Sequence, residues 1–345
     1  MLEVVMPVTV TAPRREPLEE AGRLLLVGFE GTEASEAVEL AEEFRPAGFV
    51  FFSRNYPGSP SALKRLLSEI SSGAERALGR APLLAIDQEG GTVSRLPLEE
   101  TALPSAADMA RIAGDKGGEA ALEELSFKAG RALRDLGFNF NLAPVLDVAR
   151  EGAYIGTRSF SGNPDEVTRL ASAFFAGQRR AGLLACGKHF PGLGAAVSDP
   201  HSELPVVDAG LQEVWENDLR PFRSLVARGL PAVMTTHALF RAVDPLLPGT
   251  ISPKVVDLLK RDVLFKGLTL TDDLEMGAIA GTFPPGRAAW EAVAAGHDLA
   301  LVCRRRENIL AAREGLLKAV KDYDLTPTRL REAKLRLTRA VKQIA

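Results

Sequence analysis

The segment KHFPGLGAAVSDPHSELP (188–205) brings together two of the chain's four histidines, a lysine and an aspartate that precedes a proline. Imidazole and carboxylate groups are the side chains that most often transfer protons near neutral pH. The glycines in the segment indicate a flexible loop. Residues of these types in such a loop predict acid–base chemistry, provided that the rest of the fold supplies a reacting partner.

Other polar residues stand directly after apolar runs, or late within them. They are Arg54 and Asn55, Asp87-Gln88-Glu89, Asp147, Lys188-His189, His237 and the pair Asp272-Asp273. The opposite ends of the same runs are mostly glycine, proline or apolar residues. Because parallel strands in a barrel carry their chemistry at the carboxyl ends, this distribution predicts one shared site. Asp147 could equally serve only to satisfy loop backbone groups.

The apolar runs themselves number eight, and helical patterns separate most of them. The runs are 24–29, 48–53, 82–87, 138–148, 183–190, 232–240, 267–273 and 298–303. Clear helical patterns with suitable start and stop residues cover 59–78, 164–182 and 252–267, and a basic amphipathic helix ends the chain. Eight alternations predict a single α/β domain, a (β/α)8 TIM-type barrel, with a doubly wound sheet as the alternative. Residues 1–20 are expected to form an N-terminal strand or arm, and 21–345 the catalytic barrel with a C-terminal packing helix.

The overall composition indicates which binding partners and which cellular compartment to expect. The 345 residues carry a net charge of −3, and no basic block is present, which argues against nucleic acid or an anionic membrane as a partner. Cys186 and Cys303 lie in apolar runs and are expected to be buried, reduced thiols. No basic leader precedes the apolar N-terminus, and no apolar run could span a bilayer. We therefore expect a cytoplasmic enzyme that is a monomer or weak oligomer.

Three reaction classes could use such a set of strand-end residues. Metal-assisted hydrolysis is disfavoured, because the histidines lack the spacing of metal-binding motifs, so no metal or other cofactor is expected. Phosphate chemistry is disfavoured because GLGAAVS (192–198) lacks the phosphate-loop pattern. Glycoside hydrolysis needs a carboxylate nucleophile and a general acid/base. The TDD sequence at 271–273 offers the first, and Asp87 and Arg95 could hold sugar hydroxyls.

Six motifs resemble those of family 3 glycoside hydrolases, and among them the bacterial β-N-acetylhexosaminidases of peptidoglycan recycling. These motifs are AIDQEGGTVSRL, NFNLAPVLDV, IGTRSFSGNPDEV, KHFPG, SDPH and LTLTDDLEMGAI. They follow the family's order over roughly residues 20–340. Each lies at a predicted strand end or in the loop that follows.

The resemblance implies a role for each matching residue. Asp272 would be the nucleophile that forms a covalent glycosyl-enzyme, and His201 the general acid/base with Asp199 as its orienting partner. The terminal sugar would be bound by Asp87, Arg95, Arg158, Lys188 and His189. The implied substrate is a small amino-sugar glycoside, cleaved with retention of configuration.

The spacing of Asp199 and His201 is compatible with such a dyad. Residues two apart share a face if the chain between them is extended, and Pro200 keeps Asp199 out of the helical region. We expect the dyad to ride on a glycine-hinged loop that closes over the substrate. Three positions depart from the family pattern: Leu193 replaces a histidine, Pro200 a serine and Thr92 an arginine. They concern sugar contacts, loop motion and aglycone preference, and none of them touches a core catalytic role.

Several rival functions remain open on the sequence. A family 3 β-glucosidase would lack the Asp-x-His loop and usually takes its acid/base from a second domain. A glycoside phosphorylase would use phosphate in place of water, which a histidine repels less than a carboxylate does. Catalysis assisted by the substrate's own acetamido group would need no covalent enzyme intermediate. A catalytically inactive sugar-binding barrel is the alternative from another class.

Overall fold

A computed structural model describes residues 20–114 and 117–344, and in it eight parallel strands close into a barrel. The strands are β1 (Leu25–Val27), β2 (Gly48–Phe51), β3 (Leu83–Ile86), β4 (Phe140–Asn141), β5 (Leu184–Phe190), β6 (Ala232–Thr235), β7 (Leu268–Asp273) and β8 (Leu299–Val302). Each coincides with one of the eight apolar runs. The (β/α)8 prediction is confirmed and the doubly wound alternative is wrong. Nearly all of the predicted N-terminal arm, residues 1–19, lies outside the described residues.

The strands follow one another around the barrel in chain order, and β1 closes it by pairing with β8. Leu25 lies opposite Ala300 in this closing pair, and every neighbouring pair of barrel strands is parallel. The strands are buried on both faces except at Asp272 and Asp273, which reach the open end of β7. Burial on both faces explains why the sequence shows continuous apolar runs instead of alternation.

Helices surround the barrel and bury their apolar faces against it. The longer ones are Ala34–Phe44, Pro60–Leu78, Ala106–Ala113, Glu119–Leu136, Pro164–Arg180, Leu219–Ala227, Pro285–Ala295, Arg306–Lys321 and Pro327–Ile344. Shorter helices are Leu211–Glu213, Pro253–Asp257 and Gly277–Ala280, with π-helical turns at Val214–Asp218 and Leu258–Asp262. Four of these helices begin at a Ser or Asn whose side chain accepts a backbone N–H of the first turn: Pro60–Leu78, Ala106–Ala113, Pro164–Arg180 and Pro253–Asp257. The Ser59 hydroxyl accepts the Ala62 N–H, and Gly79 ends the same helix in the left-handed conformation.

Two further pairs of short strands lie outside the barrel. Gln88–Gly90 and Val93–Ser94 form an antiparallel hairpin directly after β3, and Val206–Val207 pairs in parallel with Leu239–Phe240. Cys186 and Cys303 are buried free thiols, as predicted. Among the described residues no helix is long and apolar enough to cross a membrane.

The amino-terminal end of the barrel is fastened by one buried carboxylate. Asp298, at the start of β8, accepts hydrogen bonds from Arg329 (2.8 Å) and Arg336 (2.9 Å) of the last helix. Its second oxygen accepts the Thr269 backbone N–H of β7 (3.0 Å). The carboxylate therefore joins two strands to the C-terminal helix, an exception to the apolar character expected at this end.

We predict that Asp298→Ala lowers the free energy of unfolding by about 3–5 kcal/mol, because two largely buried guanidinium groups then lose their counter-charge. Urea unfolding monitored by circular dichroism measures the change, with Asp324→Ala, an exposed aspartate, as the control. Activity at low temperature should stay close to that of the unaltered protein. A loss of less than 1 kcal/mol would contradict the fastening role.

Candidate active site

A cavity of about 460 Å³ opens at the carboxyl ends of the strands. It is lined by seven of the eight predicted site residues: Asp87, Arg95, Arg158, Lys188, His189, His201 and Asp272. The eighth, Asp199, contacts His201 from behind, with 2.7 Å between its Oδ1 and the imidazole Nδ1. The structure therefore places all eight predicted residues together at the carboxyl ends of the strands.

The floor of the cavity is a network of paired charges. Lys188 Nζ, at the end of β5, lies 2.6 Å from Asp87 Oδ1 and 2.5 Å from Glu89 Oε1. Arg158 forms a two-pronged contact with the Glu89 carboxylate, with both N···O distances at 2.9 Å. Each charged group in the network has a partner of opposite charge, so these side chains hold one another in place. Its outward-facing donors and acceptors can bind sugar hydroxyls.

Glu89 lies at the centre of this network, although no individual role was predicted for it from the sequence. It is nearly inaccessible to solvent. Burial acts to raise the pKa of Glu89, but the Lys188 and Arg158 charges and hydrogen bonds outweigh burial and lower the pKa to about 2. The carboxylate therefore remains ionised and holds both cations in place.

This pKa shift predicts a pH dependence of stability. A carboxyl whose pKa is lower in the folded than in the unfolded state stabilises the fold above the unfolded value. That contribution should be lost as the pH falls from about 4.5 towards 2. In Glu89→Gln this part of the pH dependence should disappear, whereas Glu39→Gln, on an exposed helix face, should keep it. Unfolding free energies measured from pH 2 to pH 6 test the difference.

His189 is oriented by Asp147, which is fully buried at the end of the fourth apolar run. Asp147 Oδ2 lies 2.7 Å from His189 Nδ1, and Oδ1 accepts the backbone N–H groups of His189 and Leu193. His189 Nε2 then faces the cavity, 3.3 Å from Arg158 Nη2. Asp147 thus satisfies loop backbone groups, as one reading of the sequence allowed, and also positions a cavity histidine.

Arg95 is presented by the hairpin that follows β3. Gln88 Oε1 accepts the Arg95 backbone N–H (2.9 Å), and the Arg95 guanidinium lies 3.6 Å from Asp87 Oδ2. Gly90, with φ of 110°, allows the hairpin to pack against the Pro104 carbonyl, which a Cβ would approach to 2.2 Å. The glycine pair of the sequence therefore shapes the wall of the cavity.

The pKa values of the adjacent carboxyls at the end of β7 are shifted in opposite directions. Burial acts to raise the pKa of Asp272, but His237, His189, the Asp273 N–H and Lys188 outweigh it and lower this pKa. The pKa of Asp273 is raised to about 7, first by burial and then by the neighbouring carboxylates. Asp272 is thus an ionised carboxylate at neutral pH, the form that a nucleophile requires.

His237 supports the nucleophile strand from beneath. It is fully buried, and its Nε2 donates to the Asp273 carbonyl (2.8 Å), while its Nδ1 contacts the Thr250 hydroxyl. Burial lowers the pKa of His237. The sequence analysis predicted that His237 lies late in a strand, but it predicted no function for this residue. Its two hydrogen-bond partners, Thr250 and Asp273, come from other parts of the chain. The remaining histidine, His297, is buried with its own hydrogen bonds away from the cavity.

The Asp199–His201 pair is formed by a turn, so the expectation of an extended segment is wrong. The Ser202 N–H donates to the Asp199 carbonyl (3.0 Å), with Pro200 and His201 at the corner. Asp199 Oδ1 accepts both the backbone N–H of His201 (2.8 Å) and its ring Nδ1–H (2.7 Å). Aspartate often bonds to the backbone two residues ahead in this way, and proline favours the second position of such turns.

This geometry fixes the proton distribution of the dyad. Desolvation acts to raise the pKa of Asp199, but the hydrogen bonds from His201 outweigh it and lower this pKa. The Tyr154 hydroxyl lies 3.2 Å from the same Nδ1. Nδ1 is therefore the donor to Asp199, and Nε2 remains free to exchange a proton. The His201 side chain is 62% exposed, so an incoming or leaving group can reach it.

The loop between β5 and the dyad is packed against the barrel along its first part. A Cβ on Gly194 would lie 1.9 Å from the Val148 carbonyl, and one on Gly192 would meet Asp218. The Arg150 and Tyr154 N–H groups donate to the carbonyls of Gly194 and Ala196, both at 2.8 Å. These glycines therefore permit close packing here, and the exposed part of the loop begins at Val197.

The three departures from the family pattern have different surroundings. Leu193 is buried at the cavity wall, and its backbone N–H donates to Asp147, so its backbone role does not depend on its side chain. Thr92 is exposed at the rim. Pro200 lines the cavity and shapes the turn of the dyad.

The chain resembles one known protein family over most of its length. Residues 18–340 match the family model described as the glycosyl hydrolase family 3 N terminal domain. This chain belongs to glycoside hydrolase family 3. As a member of that family it is a glycoside hydrolase, as the motif analysis predicted.

The chain is also similar to named relatives and to a solved structure. A beta-hexosaminidase of Alkalilimnicola ehrlichii is 38% identical over 293 residues, which cover 83% of this chain and 82% of that protein. A beta-hexosaminidase of Methylococcus capsulatus is 37% identical over 81% of each chain. The structure of a family 3 beta-N-acetylglucosaminidase from Paenibacillus sp. superposes with a TM-score of 0.91 at 37% identity. That match covers 95% of this chain but 62% of the Paenibacillus chain.

Proposed function

We propose that this family 3 member is a retaining β-N-acetylglucosaminidase that removes a terminal N-acetylglucosamine from the non-reducing end of its substrate. The observation that carries the proposal is one cavity shared by an ionised carboxylate on a strand, Asp272, and a histidine with a free Nε2, His201. Retaining glycosidases need a nucleophile and a proton donor on either side of one glycosidic bond. The names of the relatives support the amino-sugar specificity.

In the first step Asp272 attacks the anomeric carbon. Its Oδ1 accepts the Asp273 N–H (2.8 Å), which leaves Oδ2 to form the bond to carbon. The bond between that carbon and the leaving oxygen breaks, and His201 Nε2 gives the oxygen its proton. Asp199 stabilises the imidazolium form beforehand and fixes its orientation.

In the second step His201 acts as a base. Its Nε2 takes a proton from water, the water oxygen bonds to the anomeric carbon, and the bond to Asp272 breaks. Two displacements at one carbon retain its configuration. The charge network of Lys188, Asp87 and Arg158 is proposed to hold the sugar's hydroxyls, with Arg95 and His189 at its edges.

The proposed natural substrates are muropeptide fragments from cell-wall recycling. The resemblance of KHFPG and SDPH to the motifs of recycling enzymes supports this assignment. Incubation with an N-acetylglucosaminyl-anhydro-N-acetylmuramic acid fragment should release N-acetylglucosamine, detected by mass spectrometry. Absence of cleavage, together with activity on aryl glycosides, would restrict the proposal to the sugar.

The deciding test compares 4-nitrophenyl β-N-acetylglucosaminide with the matching β-glucoside. We expect a clear preference for the acetamido sugar, and preference for the glucoside would overturn the assignment. A fluorinated substrate that traps the intermediate should label Asp272, as seen by peptide mass spectrometry. Glycosyl phosphate as the main product in phosphate buffer would instead indicate a phosphorylase.

A further inference from the structure

The loop that carries the proton donor is attached to the loop that follows the nucleophile strand. The Gly277 N–H donates to the His201 carbonyl (3.1 Å), and the Ala278 N–H donates to the Pro200 carbonyl (3.0 Å). These two amides therefore bind both corner residues of the Asp199 turn. Gly277 itself lies five positions after Asp272.

Gly277 also allows a very close approach between the two loops. A Cβ at this position would lie 2.5 Å from the His201 carbonyl oxygen and 3.1 Å from the Ser202 carbonyl oxygen. Both contacts involve backbone atoms, which cannot move aside as a flexible side chain would. Any side chain at 277 would push the turn away from the nucleophile loop.

The local conformation of Gly277 gives no other reason for a glycine. Gly277 begins the short helix Gly277–Ala280, its φ is outside the left-handed region, and the residue before it is extended. Alanine fits such a position and has the higher helix propensity. The requirement for glycine therefore comes from the neighbouring loop.

The nucleophile loop is itself firmly anchored. Asp273 Oδ1 accepts the N–H groups of Glu275 (3.1 Å) and Cys303 (3.2 Å), and the Met276 N–H donates to the Asp273 carbonyl (3.0 Å). By contrast, the dyad side chains are exposed to solvent by 62% and 46%. The anchored partner therefore sets the position of the exposed one.

We propose that Gly277 is a positioning residue for the acid/base step: because it has no side chain, its backbone N–H reaches the His201 carbonyl, and this contact, which we call the dock, holds His201 beside the loop that follows the nucleophile strand. This inference rests on the proposed function for its catalytic consequence. The contact between the loop that carries His201 and the loop that follows β7 does not depend on the proposed function. The dock acts on His201 through the backbone and makes no contact with the reacting atoms.

The test uses Gly277→Ala and the matched control Gly210→Ala, where an added Cβ would meet nothing within 4 Å. Two substrates separate acid catalysis from nucleophilic attack: phenyl and 2,4-dinitrophenyl β-N-acetylglucosaminide. Dinitrophenolate leaves without a proton, whereas phenolate needs one. In Gly277→Ala, kcat/KM for the phenyl glycoside should fall on the order of tenfold to a hundredfold, and that for the dinitrophenyl glycoside within about twofold.

An equal fall in kcat/KM for both substrates would show damage to the nucleophile loop and overturn the positioning role. An unchanged kcat/KM for both substrates would overturn it as well. Hydrogen–deuterium exchange provides a readout that does not need activity. Peptides that contain Gly277 and Ala278 should exchange about tenfold faster in Gly277→Ala than in Gly210→Ala. Unchanged exchange would refute the dock. If the unaltered protein fails to cleave either glycoside, the proposed function fails, and the dock is still decided by exchange.

Discussion

Asp272→Asn is expected to lower kcat/KM for aryl β-N-acetylglucosaminides on the order of 10⁴-fold or more, because loss of a nucleophile removes the covalent route altogether. Asparagine has nearly the same shape and can still accept the Asp273 N–H, so the fold and sugar binding should persist. The measurement is steady-state kinetics together with the affinity for N-acetylglucosamine, which should change little.

The matched control is Asp273→Asn, one residue further along the same strand. Its carboxyl has a pKa raised to about 7, and its Oδ1 serves two backbone N–H groups that an amide oxygen can also accept. A much smaller loss of activity is expected. Added azide provides a sharper check, since in Asp272→Ala it should displace the aglycone directly and give a glycosyl azide of inverted configuration. Substantial activity in Asp272→Asn without azide would contradict the covalent mechanism.

His201→Ala carries the second largest expected effect. Loss of the acid/base group should lower kcat/KM about 10²–10⁴-fold for substrates with poor leaving groups. The dinitrophenyl glycoside should still form the covalent intermediate, which then accumulates because no base activates water. Azide should release it as a glycosyl azide of retained configuration, detected by nuclear magnetic resonance.

Asp199→Asn tests whether the dyad works as a unit. The amide can accept the His201 N–H groups but cannot stabilise the imidazolium, so activity should approach that of His201→Ala. The double variant should then lose little more than either single one, since residues that act together are non-additive. Full additivity of the two losses would show that Asp199 acts independently of His201.

The barrel was accessible to sequence reasoning because its strands are short, continuous and apolar. A strand such as β8 is buried on both faces, which leaves a clear pattern. The positions of Asp87, Lys188 and Asp272 followed from one rule about strand ends. In that part of the molecule local sequence and global fold agree.

The contacts within the site were not accessible in the same way. Glu89 meets Arg158, and His237 meets the Asp273 carbonyl, across large separations in the chain. No local sequence pattern predicts contacts between residues that are so far apart in the chain. The extended interpretation of 199–201 failed because it weighed side-chain alternation and the effect of Pro200 on Asp199, but not hydrogen bonds from the Asp199 side chain to the backbone. The structure instead uses the Asp199 side chain as a backbone acceptor, a competition that the dipeptide Asp-Pro already suggested.

The pairing of Leu25 with Ala300 has a consequence for synthesis of the chain. The two strands that close the barrel are the first and the last of the eight, so β1 cannot pair with β8 until the ribosome has synthesised the chain through residue 302. Until then the nascent chain holds an open sheet with two unpaired edges, which invites association with other chains. The arginines that fasten Asp298 emerge later still. Ribosome-bound chains truncated before residue 299 should therefore be protease-sensitive, and protection should appear only after the final helix is released.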